Sequence, residues 1–149
     1  MANKYVTDEV KKQIGTQSQP RVVEVERGAI RRFAQAIGDP NPLFNDEEAA
    51  RKTRFGGMIA PPTFCRSLGG ELPDIKINMP QFRGLDGGSE WEYFVPIRPG
   101  DRITVVSKIA DLREREGRLG PMVFIVVEHS YTNQFGELCV LQRSTGIRY

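Results

Sequence analysis

Histidine occurs once in this chain of 149 residues, at position 129, and cysteine only twice, at Cys65 and Cys139. The two cysteines are far apart and outside any CxxC spacing, which excludes a disulfide framework and points to a reducing compartment; both are expected to be small buried hydrophobes. With one histidine and no clustered Cys/His spacing, no metal site is predicted. The nucleotide-loop patterns GxGxxG and GxxxxGK[ST] are absent as well, so no nucleotide cofactor is expected. No apolar run approaches the roughly 20 residues of a membrane span, and the opening MANKYVTDEVKKQIG lacks the apolar block of a signal peptide. A cytoplasmic protein without membrane contact is the expectation. A dominant charge is also missing: 21 basic and 19 acidic residues are interspersed for a formal net charge of +2, leaving no basic stripe to follow a phosphate backbone. Nucleic acid is excluded as a partner on that ground.

The length fits one domain over residues 1–149, able to bury roughly 70% of the surface of its unfolded chain without a disulfide or metal. TDEVKKQI (7–14) predicts a short peripheral helix capped by Thr7 and closed by Gly15. RVVEVE (21–26) alternates and is rich in β-branched residues, so it predicts a strand with one buried face. Ile30, Phe33, Ala34 and Ile37 then fall at i, i+3, i+4 and i+7, one apolar face of a helix that Gly38 stops. Asp39-Pro40-Asn41-Pro42 cannot continue it, because each proline removes a donor and restricts the residue before it. The result is a rigid turn presenting Asp39 and Asn41. DEEAARKT (46–53) predicts a second short helix with acids in its first turn and bases in its last, as the helix dipole prefers. After Phe55-Gly56-Gly57, the prolines at 61 and 62 suit the start of a further helix over 63–72, TFCRSLGGEL.

Residues 73–86 have no clean period and predict a long connection. Strands follow at 90–96, 102–111, 122–133 and 137–147, separated by the turn signals PGD, REGRLGP and NQFG. A strand, helices and then at least four consecutive antiparallel strands make an α+β plan, with the small apolar helix wrapped by the sheet. Trp91, Tyr93 and Phe94 are expected to fill the sheet faces.

Asp39, Asn41 and the helix start at residues 60–63 form the compact polar constellation of the sequence. A rigid turn can hold a carboxylate and an amide at fixed geometry, and a helix N-terminus offers unpaired N–H groups where a carbonyl oxygen gains charge. That suits acid–base chemistry on a carbonyl compound; an ordinary helix stop followed by an Asx turn has the same sequence signature. His129 shares a strand face with Val123, Ile125, Val127 and Tyr131. It reads as a sheet histidine satisfied locally, and a role as general base would require it to approach Asp39.

Asp39-Pro40-Asn41-Pro42-Leu43 followed by Asp46 resembles the D-x-N-P-[LI]-H-x-D motif of the MaoC-like dehydratases. The flanking EVERGAIRRFAQAIGD and RFGGMIAPPTF are similar to their N-terminal, fatty-acid-synthase-like dehydratase branch. The resemblance covers residues from about 9 to 149. It implies a hot-dog fold, a central helix wrapped by an antiparallel sheet of about five strands, that dimerises with acyl-thioester sites at the interface. In catalytic members Asp and His together add or remove water across the C2–C3 bond of an acyl thioester. Carried over, the Asp falls on Asp39, the amide on Asn41, and the His on Phe44, which can neither take nor give a proton. The H-G-M stretch, whose glycine N–H binds the thioester oxygen, falls on Ala60-Pro61-Pro62.

The same pattern occurs in non-catalytic halves of two-domain hydratases and accessory subunits of two-chain dehydratases. The resemblance therefore implies an acyl-thioester-binding subunit, with Phe44, Ile59, Ala60, Pro61, Pro62 and Thr63 toward substrate and Asp39 and Asn41 as retained motif positions. Its implied substrate is a CoA or acyl-carrier-protein thioester, with no other cofactor, and its implied partner is a second hot dog, in a homodimer or in a heterodimer with a catalytic subunit. Three alternatives remain: a homodimeric dehydratase using Asp39 without the histidine, an acyl-CoA thioesterase, and a non-enzymatic acyl-thioester-binding protein. The thioesterase reading would want an acid on the central helix, and residues 63–70 have none.

Overall fold

A computed structural model describes residues 3–80 and 82–149. Five antiparallel strands form one sheet: β1 (Arg21–Glu24), β2 (Gly84–Tyr93), β3 (Arg102–Gly117), β4 (Gly120–Thr132) and β5 (Leu138–Arg148), in spatial order β1-β3-β4-β5-β2. The α+β plan stands; β2 starts at Gly84, inside the connection expected over 73–86, and ends at Tyr93, short of the expected 96, while β3 runs on past the expected 111 to Gly117. Four short helices lie before the sheet's main body: α1 (Asp8–Lys11), α2 (Arg27–Ala36), α3 (Pro42–Asn45) and α4 (Glu47–Arg51). Among the described residues no helix is long and apolar enough to cross a membrane.

β3 shows how sequence sets the sheet. Ile103, Val105, Ser107 and Ile109 point inward at every second residue, and then an irregularity between Ile109 and Asp111 adds one residue and moves the phase to Leu112. Such a bulge bends the strand and raises its twist, which curls the sheet around what it covers. On the inner face Ile30 and Ala34 of α2 pack with Phe64, Ile103, Val105, Tyr131 and Val140 into the main core. Of the α2 apolar face, Ile37 is the exception: it caps the helix and is exposed, because Gly38 at φ 70° turns the chain away there.

The central element differs from the expected helix over 63–72. It is a single 3-10 segment, Phe64–Leu68, with Phe64, Cys65 and Leu68 buried. Gly69 and Gly70 end it at φ 72° and 134°, a region closed to most side chains. Among the described residues no helix or strand follows until Gly84.

A second core lies farther along the β3–β4 hairpin, where Val6 and Met79 pack on Leu112, Val123 and Ile125. Its cover is an N-terminal strap held by two polar clasps. The Glu114 carboxylate accepts the backbone N–H groups of Lys4, Tyr5 and Val6 at 2.8–2.9 Å, and these bonds hold its pKa below the ordinary 4.5 against the opposing effect of burial. The Gln13 amide both donates to and accepts from the backbone of Lys76 at 2.8 Å, tying the strap to the irregular segment beside it.

Candidate functional site

The turn after α2 spends one side-chain oxygen each of Asp39 and Asn41 on its own backbone. The N–H of Asn41 donates to Asp39 Oδ1 and that of Leu43 to Asn41 Oδ1, both at 3.0 Å, so each side chain closes an Asx turn. Asn41 is thereby the N-cap of α3, with Pro42 in its first turn. Asn45 donates back to the carbonyls of Asp39 and Asn41, and Asp46 caps α4 through the N–H of Ala49. What the turn delivers inward is Phe44, which is 6% exposed.

Phe44 forms part of the wall of an apolar cleft of about 230 Å³. Ile59, Ala60, Pro61 and Pro62 line it beside Phe44, and residues 93–97 with Val140 close the other side. Thr63 is exposed and lies outside this lining, as do Asp39 and Asn41. Tyr93 and Phe94, expected to fill sheet faces, stand half-exposed at the cleft instead. Tyr93 stacks on Trp91, with ring centroids 6.3 Å apart, and its phenol is the one ionisable side chain among the described residues of the lining, with a pKa raised by burial. Sequence reasoning missed the wall at residues 93–97; the available signal was the break in alternation at YFV, where three large apolar residues in succession cannot all face one side of a strand.

The backbone around the cleft has no donor to spare at residues 59–62. The N–H of Ile59 donates to Leu43 O at 3.1 Å and that of Ala60 to Ile97 O at 2.7 Å, while Pro61 and Pro62 have none. An oxyanion developing here would meet no N–H from these four residues. The cleft can therefore sequester an apolar group but contributes neither a base nor an oxyanion donor from this stretch.

His129 is satisfied away from the turn. Its Nδ1 lies 2.7 Å from Ser107 Oγ and its Nε2 3.3 Å from Ser144 Oγ, both on strands flanking β4, and Asp39 is not among its hydrogen-bond partners. Burial, helped by the nearby Arg66 guanidinium, lowers its pKa from the ordinary 6.5. Below that value the unfolded chain binds a proton that the folded chain refuses, so this contribution to stability is whole above pH 6.5 and declines as pH falls through the window beneath it. His129→Gln should flatten the fall in urea midpoint between about pH 7 and pH 5; an unchanged slope would place the titration elsewhere. Cys65 and Cys139 are free and buried, and burial raises the Cys65 thiol to about 12, which makes it inert as a nucleophile. Among the described residues no cluster of His, Cys, Asp and Glu could hold a metal.

A curled antiparallel sheet around a short central segment is the hot-dog fold, and solved structures share it. The ChsH1-ChsH2 complex from Mycobacterium tuberculosis matches with a TM-score of 0.76 and 22% identity over 95% of this chain and 87% of that one. The C-terminally truncated HadBC (3R-hydroxyacyl-ACP dehydratase) complex of the same organism gives 0.74 and 22% over 91% and 96%. A MaoC-like dehydratase from Rhodospirillum rubrum gives 0.73 and 24% over 91% and 92%. At these identities the likeness is one of fold. The family follows from sequence: the model described as FAS1-like, dehydratase domain region, matches residues 12–142, and the chain belongs to that family of MaoC-like hot-dog dehydratases. It is 37% identical over 128 residues to a UPF0336 protein of Saccharopolyspora erythraea, covering 82% of this chain and 79% of that one. A UPF0336 protein of Streptomyces avermitilis is 38% identical over 99 residues, 63% of this chain and 66% of the relative. The probable enoyl-CoA hydratase alpha subunit of Thermomonospora curvata is 30% identical over 138 residues, 80% of this chain but 43% of the longer relative.

Proposed function

We propose that this chain is the acyl-thioester-binding, non-catalytic subunit of a hydratase/dehydratase, completed by a hot-dog partner that supplies the acid–histidine pair. The observation that carries the proposal is Phe44: the position that the family motif gives to the general base is a buried phenyl ring in an apolar wall. Three features support it. Asp39 Oδ1 and Asn41 Oδ1 are engaged in their own turn, and Ile59 and Ala60 have committed N–H groups next to two prolines. The cleft, at about 230 Å³, lies below the 300–1,000 Å³ of self-sufficient ligand sites. The solved neighbours described as the ChsH1-ChsH2 and HadBC complexes, and the relative called an alpha subunit, fit an assembly of unlike chains. The substrate is a CoA or carrier-protein thioester whose apolar portion lies against Phe44, Ile59 and Pro61.

Hydration of crotonyl-CoA and of a longer enoyl-CoA, followed by loss of the conjugated thioester absorbance, tests the proposal. The purified chain alone is expected to show background rate. Mixing with a hot-dog subunit that retains the motif histidine should raise the rate by about a hundredfold or more, the usual worth of a positioned acid–base group. Asp39→Ala in this chain should leave the rate of the mixture within a few-fold. Robust turnover by the chain alone that Asp39→Ala abolishes would establish the homodimeric dehydratase in its place; release of free CoA from a saturated acyl-CoA would establish a thioesterase.

A further inference from the structure

The outer face of the sheet, turned away from both cores, changes character along its strands. Across the middle it carries a charged ladder, in which Glu128 meets Lys108 at 3.4 Å and Arg143 at 3.0 Å, and Arg143 reaches Glu92 at 3.5 Å. Toward the β3–β4 hairpin it becomes apolar. Val123 and Ile125 of β4 are buried on the inner face, so Met122 and Phe124 point outward. Phe124 is in register with Ile147 of β5, and Ile147 with Leu85 of β2. Met122, Phe124, Ile147 and Leu85 belong to neither core, and Leu85 is 51% exposed. Contiguous apolar patches of this kind, when rimmed by polar groups, mark interaction sites.

Arginines flank the patch on two sides. Arg113 and Arg115 of β3 are the register partners of Phe124 and Met122 and share their outward face. On the opposite side Arg83, whose N–H donates to Tyr149 O at 2.8 Å, lies one residue before β2. Arg113 is paired with Asp111 at 2.8 Å, whereas Arg83 and Arg115 make no ion pair among the described residues. Of the other acids on these strands, Glu114, Glu116 and Asp86 alternate to the inner face, where Glu114 holds the strap and Asp86 is in register with Gly146. Between the patch and the ladder lies a concavity of about 560 Å³, floored by Val126 and Thr145 and opened by the irregularities in β2 and β3. Glu90 and Arg143, in register with each other, form its rim on the ladder side.

We propose that this patch docks an acidic amphipathic helix of a partner protein. Methionine, arginine and aromatic side chains are the types that interfaces favour, and three guanidiniums against the Asp111 carboxylate call for acidic residues opposite. Arg115 and Arg83 stand three strand spacings apart, about 14 Å, which ten residues of helix span at about 15 Å. A helix crossing the strands with its apolar stripe over Phe124, Ile147 and Leu85 would therefore set an acid near each of these arginines. A second copy of this chain would bring the same arginines together. A flat lipid surface would leave the concavity beside the patch empty, whereas the ridge of a helix enters it.

Fluorescence anisotropy of the full chain with two synthetic helical peptides of about 18 residues, five turns, tests the surface. One carries leucine at i, i+3, i+4 and i+7 spacing with glutamate elsewhere; the other has lysine in place of glutamate. The glutamate peptide should bind saturably, at least about tenfold more tightly than the lysine peptide, and should weaken as salt rises. Arg83→Glu combined with Arg115→Glu should reverse that preference. Phe124→Ser should weaken the glutamate peptide about tenfold or more. It should leave the melting temperature within a few degrees and acyl-CoA binding at the Phe44 cleft unchanged, because the ring belongs to neither core. Equal affinity for the two peptides, no saturable binding of either, or binding that neither variant alters overturns the proposal. So does self-association in sedimentation that Phe124→Ser abolishes, which would assign the patch to a second copy. Uptake by phosphatidylglycerol vesicles without peptide binding would overturn it too, in favour of a lipid surface.

Discussion

Phe44→Asp is expected to remove short acyl-CoA binding and to lower the unfolding free energy by at least about 3 kcal/mol, whereas Asp39→Asn should leave binding unaltered and stability within about 0.5 kcal/mol. The contrast runs against the ordinary expectation for a motif of this kind, in which the acid matters most. It follows from where each side chain is used. Phe44 is 6% exposed in the main core and forms part of the cleft wall, so replacement removes aromatic area from both and sets a carboxyl group in apolar surroundings. Asp39 contributes a single acceptor, Oδ1, to the N–H of Asn41, and an asparagine carbonyl can accept the same bond. Urea midpoints with titrations of butyryl-CoA separate the two variants. Phe44→Leu, which keeps volume and polarity near those of the ring, guards against misfolding: it should cost less than about 1.5 kcal/mol and retain binding. If Asp39→Asn proved the more damaging to binding, the turn would hold ligand directly and the apolar wall would be secondary.

Most of the sheet is legible in the chain because alternation is a local signal. Strand β3 carries Ile103, Val105 and Ile109 and strand β4 carries Val123, Ile125 and Val127 on one alternating face, β5 alternates more weakly, and the turns between the three carry glycine. The helix expected over 63–72 fails for an equally local reason that tertiary context decides: Gly69 and Gly70 are tolerable inside a helix on propensity alone, yet here both take positive φ and the chain leaves after one turn. The clasp of Glu114 on three N-terminal N–H groups could not be read, because its partners are 108 to 110 residues apart and nothing in a glutamate on a strand announces them. The same applies to His129. Its strand and face follow from alternation, but its serine partners on β3 and β5 depend on register.

The candidate site was legible at its polar edge and not at its apolar one. Prolines at 40 and 42 force a turn, so Asp39 and Asn41 stand out in sequence. That those side chains would cap their own backbone is what isolated Asx turns do, and sequence left that reading beside the catalytic one. The opposite wall comes from residues 93–97, far along the chain, and is placed by antiparallel pairing of β2 with β5. Apolar walls made from two distant segments leave no periodic trace.

Phe64→Ala should be the most destabilising single truncation on the central segment, by about 3–5 kcal/mol, which for a chain of this size lowers the melting temperature by roughly 6–20 °C. A 3-10 run of five residues has little intrinsic stability, so Phe64–Leu68 is held by what it buries rather than by its own hydrogen bonds. Phe64 is 2% exposed and meets Phe33 of α2 edge-to-face, with ring centroids 5.7 Å apart and planes at 86°. Such a pair adds about 0.5–1.5 kcal/mol to the area it buries. Removing the ring therefore loosens the central segment from both the sheet and α2, and α2 leads directly into the turn that sets Phe44 in the cleft. Loss of stability and loss of acyl-CoA affinity should accompany each other in this variant, though no atom of Phe64 lines the cleft. Exposed Thr63, one residue earlier and without a capping hydrogen bond, supplies the control: Thr63→Ala should stay within about 0.5 kcal/mol. A Phe64→Ala chain that melted within a degree or two of the wild type would mean that α2 and the sheet hold each other without the central segment, and Phe44 would then owe its position to the turn alone.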